Sequence, residues 1–194
     1  VITSISGVVQ ERLLFFYKFL RSPGQIGSVT PSSKYLARAM IDSVPWEEVK
    51  YVAELGSGTG AITKYIRSAV NSNTRVMLFE KDRTLYRSLK YQYSEFPCYR
   101  NACRLQSILG QEKIEQLDCV ISGLPFYNFP QEMRYQLLDQ VISSLRDGGL
   151  FLAFQYSHQM KKQLSERFDI EAIKFVALNV PPAFVYVCRK RGVS

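Results

Sequence analysis

The residues best suited to chemistry fall in three clusters. The first is Glu54-Leu55-Gly56-Ser57-Gly58-Thr59-Gly60, with glycines at alternate positions and an acid two residues before the first of them. Glycines there permit positive φ and a close backbone approach to a ligand, and a helix beginning just downstream would offer unpaired N–H groups. The second is Glu80, 20 residues past Gly60, a carboxylate able to accept from both hydroxyls of a ribose. A dinucleotide fingerprint spaces its glycines G-x-G-x-x-G for a pyrophosphate, whereas this loop reads G-x-G-x-G. The third is Ser122-Gly123-Leu124-Pro125-Phe126-Tyr127-Asn128-Phe129-Pro130, where a phenol and an amide stand among apolar neighbours.

These clusters need a frame to hold them. From residue 51 onward short β-rich runs alternate with longer helical ones, which predicts an α/β sheet with helices on both faces. Strands are expected at Tyr51–Leu55, Val76–Phe79, Tyr99–Ala102, Asp118–Ser122 and Leu150–Phe154, the last entered through a turn at Asp147-Gly148-Gly149. Helices are expected over about Ala61–Val70, Asp82–Glu95, Pro130–Arg146 and His158–Phe168. The late runs Ile173–Asn179 and Phe184–Arg189 flank Pro181-Pro182 and must pair antiparallel, making a seven-stranded, mostly parallel sheet mixed at one edge. Residues 1–50 read as an N-terminal helical appendage to a domain over 51–194, with one helix at about 9–20 and another at about 31–43, Thr30 its N-cap and Pro31 its first residue.

The composition limits the function classes. The 194 residues are 46% hydrophobic and 22% charged, as in ordinary globular chains. No apolar run approaches the roughly 18–20 residues of a transmembrane helix, and no signal peptide is evident, so a cytoplasmic protein is expected. Cys98, Cys103, Cys119 and Cys188 form no CxxC pair and His158 is the only histidine, so reduced thiols and no metal site are expected. The 25 Lys+Arg against 17 Asp+Glu give a net charge of +8, which favours an anionic partner, nucleic acid or membrane, without choosing between them.

The glycine loop with its two acids resembles the cofactor site of class I S-adenosylmethionine-dependent methyltransferases, with their Rossmann-like fold. The resemblance implies that Gly56, Ser57, Gly58 and Gly60 line the methionine moiety and ribose edge, that Glu80 holds the ribose, and that Glu54 lies near the methionine amino group. It also places Asn101 against the adenine amino group, where such enzymes often carry an Asp, and sets Ser122 and Leu124 beside the cofactor. The loop after the fourth strand would face the transferring methyl, with Tyr127 and Asn128 as candidate catalytic groups that orient an amine.

Two families share this loop. In rRNA adenine dimethyltransferases an Asn precedes the Leu-Pro, and here Gly123 stands in its place. The chain is more similar to the bacterial phospholipid N-methyltransferases, which methylate phosphatidylethanolamine. That similarity runs through Gly27-Ser28-Val29-Thr30-Pro31-Ser32-Ser33, Ser122-Gly123-Leu124-Pro125 with Asn128-Phe129-Pro130, and Asn179-Val180-Pro181-Pro182-Ala183. It implies methyl transfer to a phospholipid headgroup amine, with an rRNA adenine N6-methyltransferase and a non-catalytic cofactor-binding regulator as the alternatives. Val9, Leu13, Phe16, Tyr17 and Leu20 form one helical stripe, and Leu14 and Phe15 lie between Glu11 and Lys18, which suits a helix seated on an anionic membrane surface.

Overall fold

The structure is a computed structural model and describes residues 32–192. The expected helix at about 9–20 and the segment Gly24–Pro31 lie outside the described residues. Seven strands form one sheet in the order β3-β2-β1-β4-β5-β7-β6. They are β1 (Tyr51–Leu55), β2 (Arg75–Phe79), β3 (Cys98–Tyr99), β4 (Leu117–Ser122), β5 (Leu145–Gln155), β6 (Phe168–Val176) and β7 (Ala183–Lys190). β1, β2, β3, β4 and β5 pair parallel, while β7 pairs antiparallel with both β5 and β6. The α/β, mostly parallel sheet with one mixed edge is therefore the expected architecture.

Side chains alternate between two cores, one on each face, as the strand period requires. Val52, Val76, Leu78, Cys119 and Ile121 pack on one side with the helices Lys34–Ile41, Thr63–Ala69 and Arg83–Gln92. Ala53, Leu55, Met77, Phe79 and Val120 pack on the other with Leu105–Gln111, Gln131–Ser144 and Lys161–Ser165. In Lys34–Ile41 the buried residues are Leu36, Ala37, Met40 and Ile41, one face of the helix, and they join the first core.

Several expected boundaries move, each for a visible reason. The N-cap of Lys34–Ile41 is Ser33, whose hydroxyl accepts from Leu36 N, rather than Thr30. β3 stops at Tyr99 because Asn101 turns the chain, its Oδ1 accepting from Cys103 N to cap a 3-10 turn at Ala102–Arg104. That turn leads into Leu105–Gln111, a helix the sequence reading left out; its buried face is only Leu105, Ile108 and Leu109, too short a pattern to show a helical period. Asp147-Gly148-Gly149 lies within β5 as a bulge: the register with β4 jumps from Leu117↔Leu145 to Cys119↔Leu150. Gly149 is needed there, because a Cβ would stand 2.8 Å from the Arg146 carbonyl oxygen. The expected helix His158–Phe168 is a 3-10 turn, His158–Met160, followed by Lys161–Ser165, and Phe168 already belongs to β6.

One carboxylate fixes the entry of the central strand. Asp118 Oδ2 accepts from Lys50 N at 2.8 Å and Tyr51 N at 2.9 Å, while Oδ1 accepts from Arg146 Nε at 2.6 Å. Asp118→Ala leaves both N–H groups without this partner, and is expected to cost about 2–3 kcal/mol in urea unfolding with an unchanged m-value.

Candidate active site

The carboxyl ends of β1, β2, β4 and β5 meet at one edge of the sheet, the edge where open α/β sheets bind ligands. After β1 the chain turns through Gly56, Gly58 and Gly60, with φ of 74°, 57° and 81°. Gly56 N and Ser57 N donate to the Phe79 carbonyl at 2.8 and 3.1 Å, which ties the loop to the end of β2. A Cβ on Gly60 would stand 2.7 Å from Tyr93 Cε2, whereas one on Gly58 would meet nothing within 4 Å. Gly60 is thus a packing glycine, and Gly58 faces open space.

The two acids sit differently. Glu80 Oε2 accepts from Gly58 N and Oε1 from Asp82 N, both at 2.8 Å, so each oxygen keeps lone-pair capacity for a further donor. Glu54 is 1% exposed, and its Oε2 accepts from the Thr63 hydroxyl at 2.6 Å. Burial pushes its carboxyl up to about 7, against the hydrogen bonds of Thr63 and Ser57 and with a smaller push from Glu80.

The loop after β4 lies directly on the glycine loop. Gly123 N donates to the Leu55 carbonyl at 2.9 Å. A Cβ on Gly123 would come within 2.9 Å of the Gly56 oxygen, and one on Gly56 within 2.7 Å of Leu124 Cδ2. Ser122 is buried, and its hydroxyl accepts from Leu124 N at 3.2 Å. Gln155, buried at the end of β5, donates from Nε2 to the Leu124 carbonyl at 3.1 Å. Beyond this contact a shallow cleft is lined by Gly123, Pro125, Tyr127, Asn128, Phe154, Gln155, Tyr156 and Ser157.

The structure thus brings together Glu54, Gly56, Ser57, Gly58, Gly60, Glu80, Ser122 and Leu124 at one sheet edge, with Tyr127 and Asn128 in the adjoining cleft. Tyr127 is 46% exposed, and the Arg134 guanidinium lies 5.7 Å from its ring centroid. Asn101 stands apart: it is exposed beyond β3, and its amide oxygen caps its own turn. Sequence reasoning missed Thr63, Tyr93, Gln155 and Tyr156. The last two follow the apolar run Leu150–Phe154 at a strand's carboxyl end, which is the signal that could have found them. Thr63 and Tyr93 act through packing across elements and carry no local signature.

An ornithine lipid N-methyltransferase of Singulisphaera acidiphila is 36% identical over 186 residues, covering 93% of this chain and 97% of that protein. The chain belongs to the lipid N-methyltransferase family. No family model matches it. Solved structures agree on the fold. The O-methyltransferase TomG of Streptomyces achromogenes, in complex with S-adenosylmethionine, has a TM-score of 0.69 at 10% identity, covering 90% of this chain and 87% of that one. The N-methyltransferase NodS of Bradyrhizobium japonicum has a TM-score of 0.66 at 10% identity, covering 80% and 94%. This family member is a class I S-adenosylmethionine-dependent methyltransferase with S-adenosylmethionine as cofactor.

The residues present fit that cofactor. Open space over Gly58 leaves a cradle beside the glycine loop, and the unused lone pairs of Glu80 suit a vicinal diol. Two expectations follow. Gly60→Ala, pressed against Tyr93, should lose at least about 2 kcal/mol of stability by denaturant unfolding. Gly58→Arg should keep most of the stability and lose cofactor affinity by calorimetry. Equal effects of the two on both readouts would erase the distinction.

Glu54 generates a pH expectation with a definite sign. Its folded value, about 7, lies above its ordinary 4.5, so the native state holds a proton that the unfolded state has released. Its contribution is complete below pH 4.5 and is lost as pH rises through about 7. Glu54→Gln cannot ionise, so between pH 5 and pH 8 its stability should rise relative to the parent by on the order of 3 kcal/mol.

Proposed function

We propose that the acceptor is the headgroup amine of a membrane lipid, with phosphatidylethanolamine and its methylated derivatives as substrates. The observation that carries this reading is the cleft beside Gly123, a residue packed on the glycine loop, and its lining of neutral polar groups and aromatics rather than acids. Ornithine lipid is the second reading, favoured by the name of the relative from Singulisphaera acidiphila. That relative supports a lipid acceptor over the rRNA alternative.

In this reading Gly56, Ser57, Gly58 and Gly60 line the methionine and ribose edge, Glu80 accepts from the ribose hydroxyls, and Glu54 lies near the methionine amino group. Asn101 keeps one acceptor lone pair for the adenine amino group after capping its turn, and Ser122 and Leu124 close the floor. S-adenosylmethionine supplies, when bound, an electrophilic methyl on a sulfonium. The amine must arrive neutral, with its lone pair along the displacement axis. Tyr127 and Asn128 offer the cleft a hydroxyl and an amide to orient it. Gln155 holds the Leu124 carbonyl and so fixes how far that loop stands from the glycines.

No helix of the described residues is long and apolar enough to cross a membrane. The lipid reading places the enzyme peripherally at the inner, anionic membrane surface from the cytoplasmic side, with the segment at 9–20 as anchor.

The test offers purified protein labelled S-adenosylmethionine with vesicles of phosphatidylethanolamine, vesicles of ornithine lipid, and rRNA side by side. Transfer to phosphatidylethanolamine is expected, with the products able to accept further methyl groups. Transfer to rRNA alone overturns the reading. Tyr127→Phe and Asn128→Ala should lower turnover by roughly 10-fold or more while cofactor affinity stays intact. Full turnover in both variants would reduce the loop to scaffolding.

A further inference from the structure

The connection from β6 to β7 has its polarity inside out. Across residues 177–182 the exposed side chains are Ala177, Leu178, Val180 and Pro182, all apolar, while the single polar residue, Asn179, is 3% exposed. Leu178 is 64% and Val180 72% exposed, and Phe175 at the end of β6 is 61%. A loop that faces water shows the reverse, because its apolar groups turn in and its amides turn out.

Asn179 is held inward by specific partners. Its Oδ1 accepts from Ser33 N at 3.0 Å, its Nδ2 donates to the Pro181 carbonyl at 2.7 Å, and its side chain hydrogen-bonds the Tyr156 hydroxyl. Tyr156 lines the cleft, so this contact sets the loop at the cleft wall. A second chain of contacts agrees: the Phe175 ring packs on Phe184 at 5.1 Å, Phe184 on His158 at 3.9 Å, and His158 follows Ser157 of the same wall.

We propose that the β6–β7 tip is a membrane-contact element of the folded body, inserting Leu178 and Val180 among the lipids beside the cleft. The proposal rests on the lipid-acceptor reading above and adds to it the surface by which the acceptor is reached. Charge selects a lipid surface over a second copy of the chain. Lys174 Nζ bonds only the neutral Ser43 hydroxyl, and Lys34 lies over the Tyr35 ring at 5.1 Å. Among the described residues neither lysine pairs with a carboxylate. Anionic headgroups neutralise such lysines, whereas a symmetric copy would bring the same lysines against them.

The test uses the full chain and vesicles of phosphatidylethanolamine with phosphatidylglycerol. Leu178→Ser/Val180→Ser should bind these vesicles roughly 10-fold or more weakly in sedimentation, at low and at high salt, because the lost part is apolar. Its turnover on vesicles should fall while turnover on a monomeric short-chain phosphatidylethanolamine holds. A separate Leu178→Trp variant should show indole quenching by brominated lipids above the background of Trp46. Undiminished vesicle binding by the double Ser variant, or an unquenched indole in Leu178→Trp, overturns the proposal. So does a shift of oligomeric state in the double variant with vesicle binding unchanged, which would make the tip an interface between copies. Lost vesicle binding and indole quenching in a protein that methylates no lipid would leave the surface standing and overturn the acceptor reading instead.

Discussion

Two backbones touch at the centre of this molecule, where the loop leaving β1 meets the loop leaving β4. Gly123 N reaches the Leu55 carbonyl, and neither Gly56 nor Gly123 has room for a side chain. The contact exists because β1 and β4 are adjacent parallel strands whose carboxyl ends are in register at Leu55↔Ser122. It brings the glycine loop and the loop after β4 into direct backbone contact, with the Leu124 side chain against Gly56. A bulkier residue at either position would push the loops apart, and displacement chemistry falls off steeply with small misplacements.

Around that contact, buried polar groups serve as spacers rather than as reagents. Gln155 ties β5 to the loop after β4, Tyr93 packs against the Gly60 backbone, and Thr63 satisfies the carboxyl of Glu54. Each sits where an unpaired polar atom would be costly, so each link is held by its own desolvation. Glu54 shows the same logic in its proton affinity, since removal from water favours its neutral form.

The fold was legible because its signals were local. The glycine loop after a five-residue β-rich run identified β1 with its observed ends, and the acid 20 residues past Gly60 marked the end of β2. What stayed hidden depended on distance in the sequence. Ser33 caps a helix while its amide is held by Asn179, 146 positions away, so no window could separate its role from that of Thr30. The helix Leu105–Gln111 is too short to announce a period, and the β5 bulge is a turn signal that pairing with β4 and β7 absorbed into a strand. In the candidate site, the glycines and acids were readable from spacing. Gln155 and Tyr156 were marked only by their place at a strand's carboxyl end, and their partners, a loop 31 residues back and a later hairpin, were out of reach of any local pattern.

The reversed direction of β7 has a topological effect. Since β7 opposes both β5 and β6, β6 runs the same way as β5, and its carboxyl end arrives at the sheet edge that holds the glycine loop. An all-parallel sheet would reach that position only through a crossover helix, whose packing would constrain its length. A hairpin carries no such load. Changes of length at its tip leave the strand order and both cores untouched, and loop closure makes insertions there inexpensive. One residue of the cleft wall, Tyr156, is thus braced by Asn179 from a connection whose length the sheet itself does not fix.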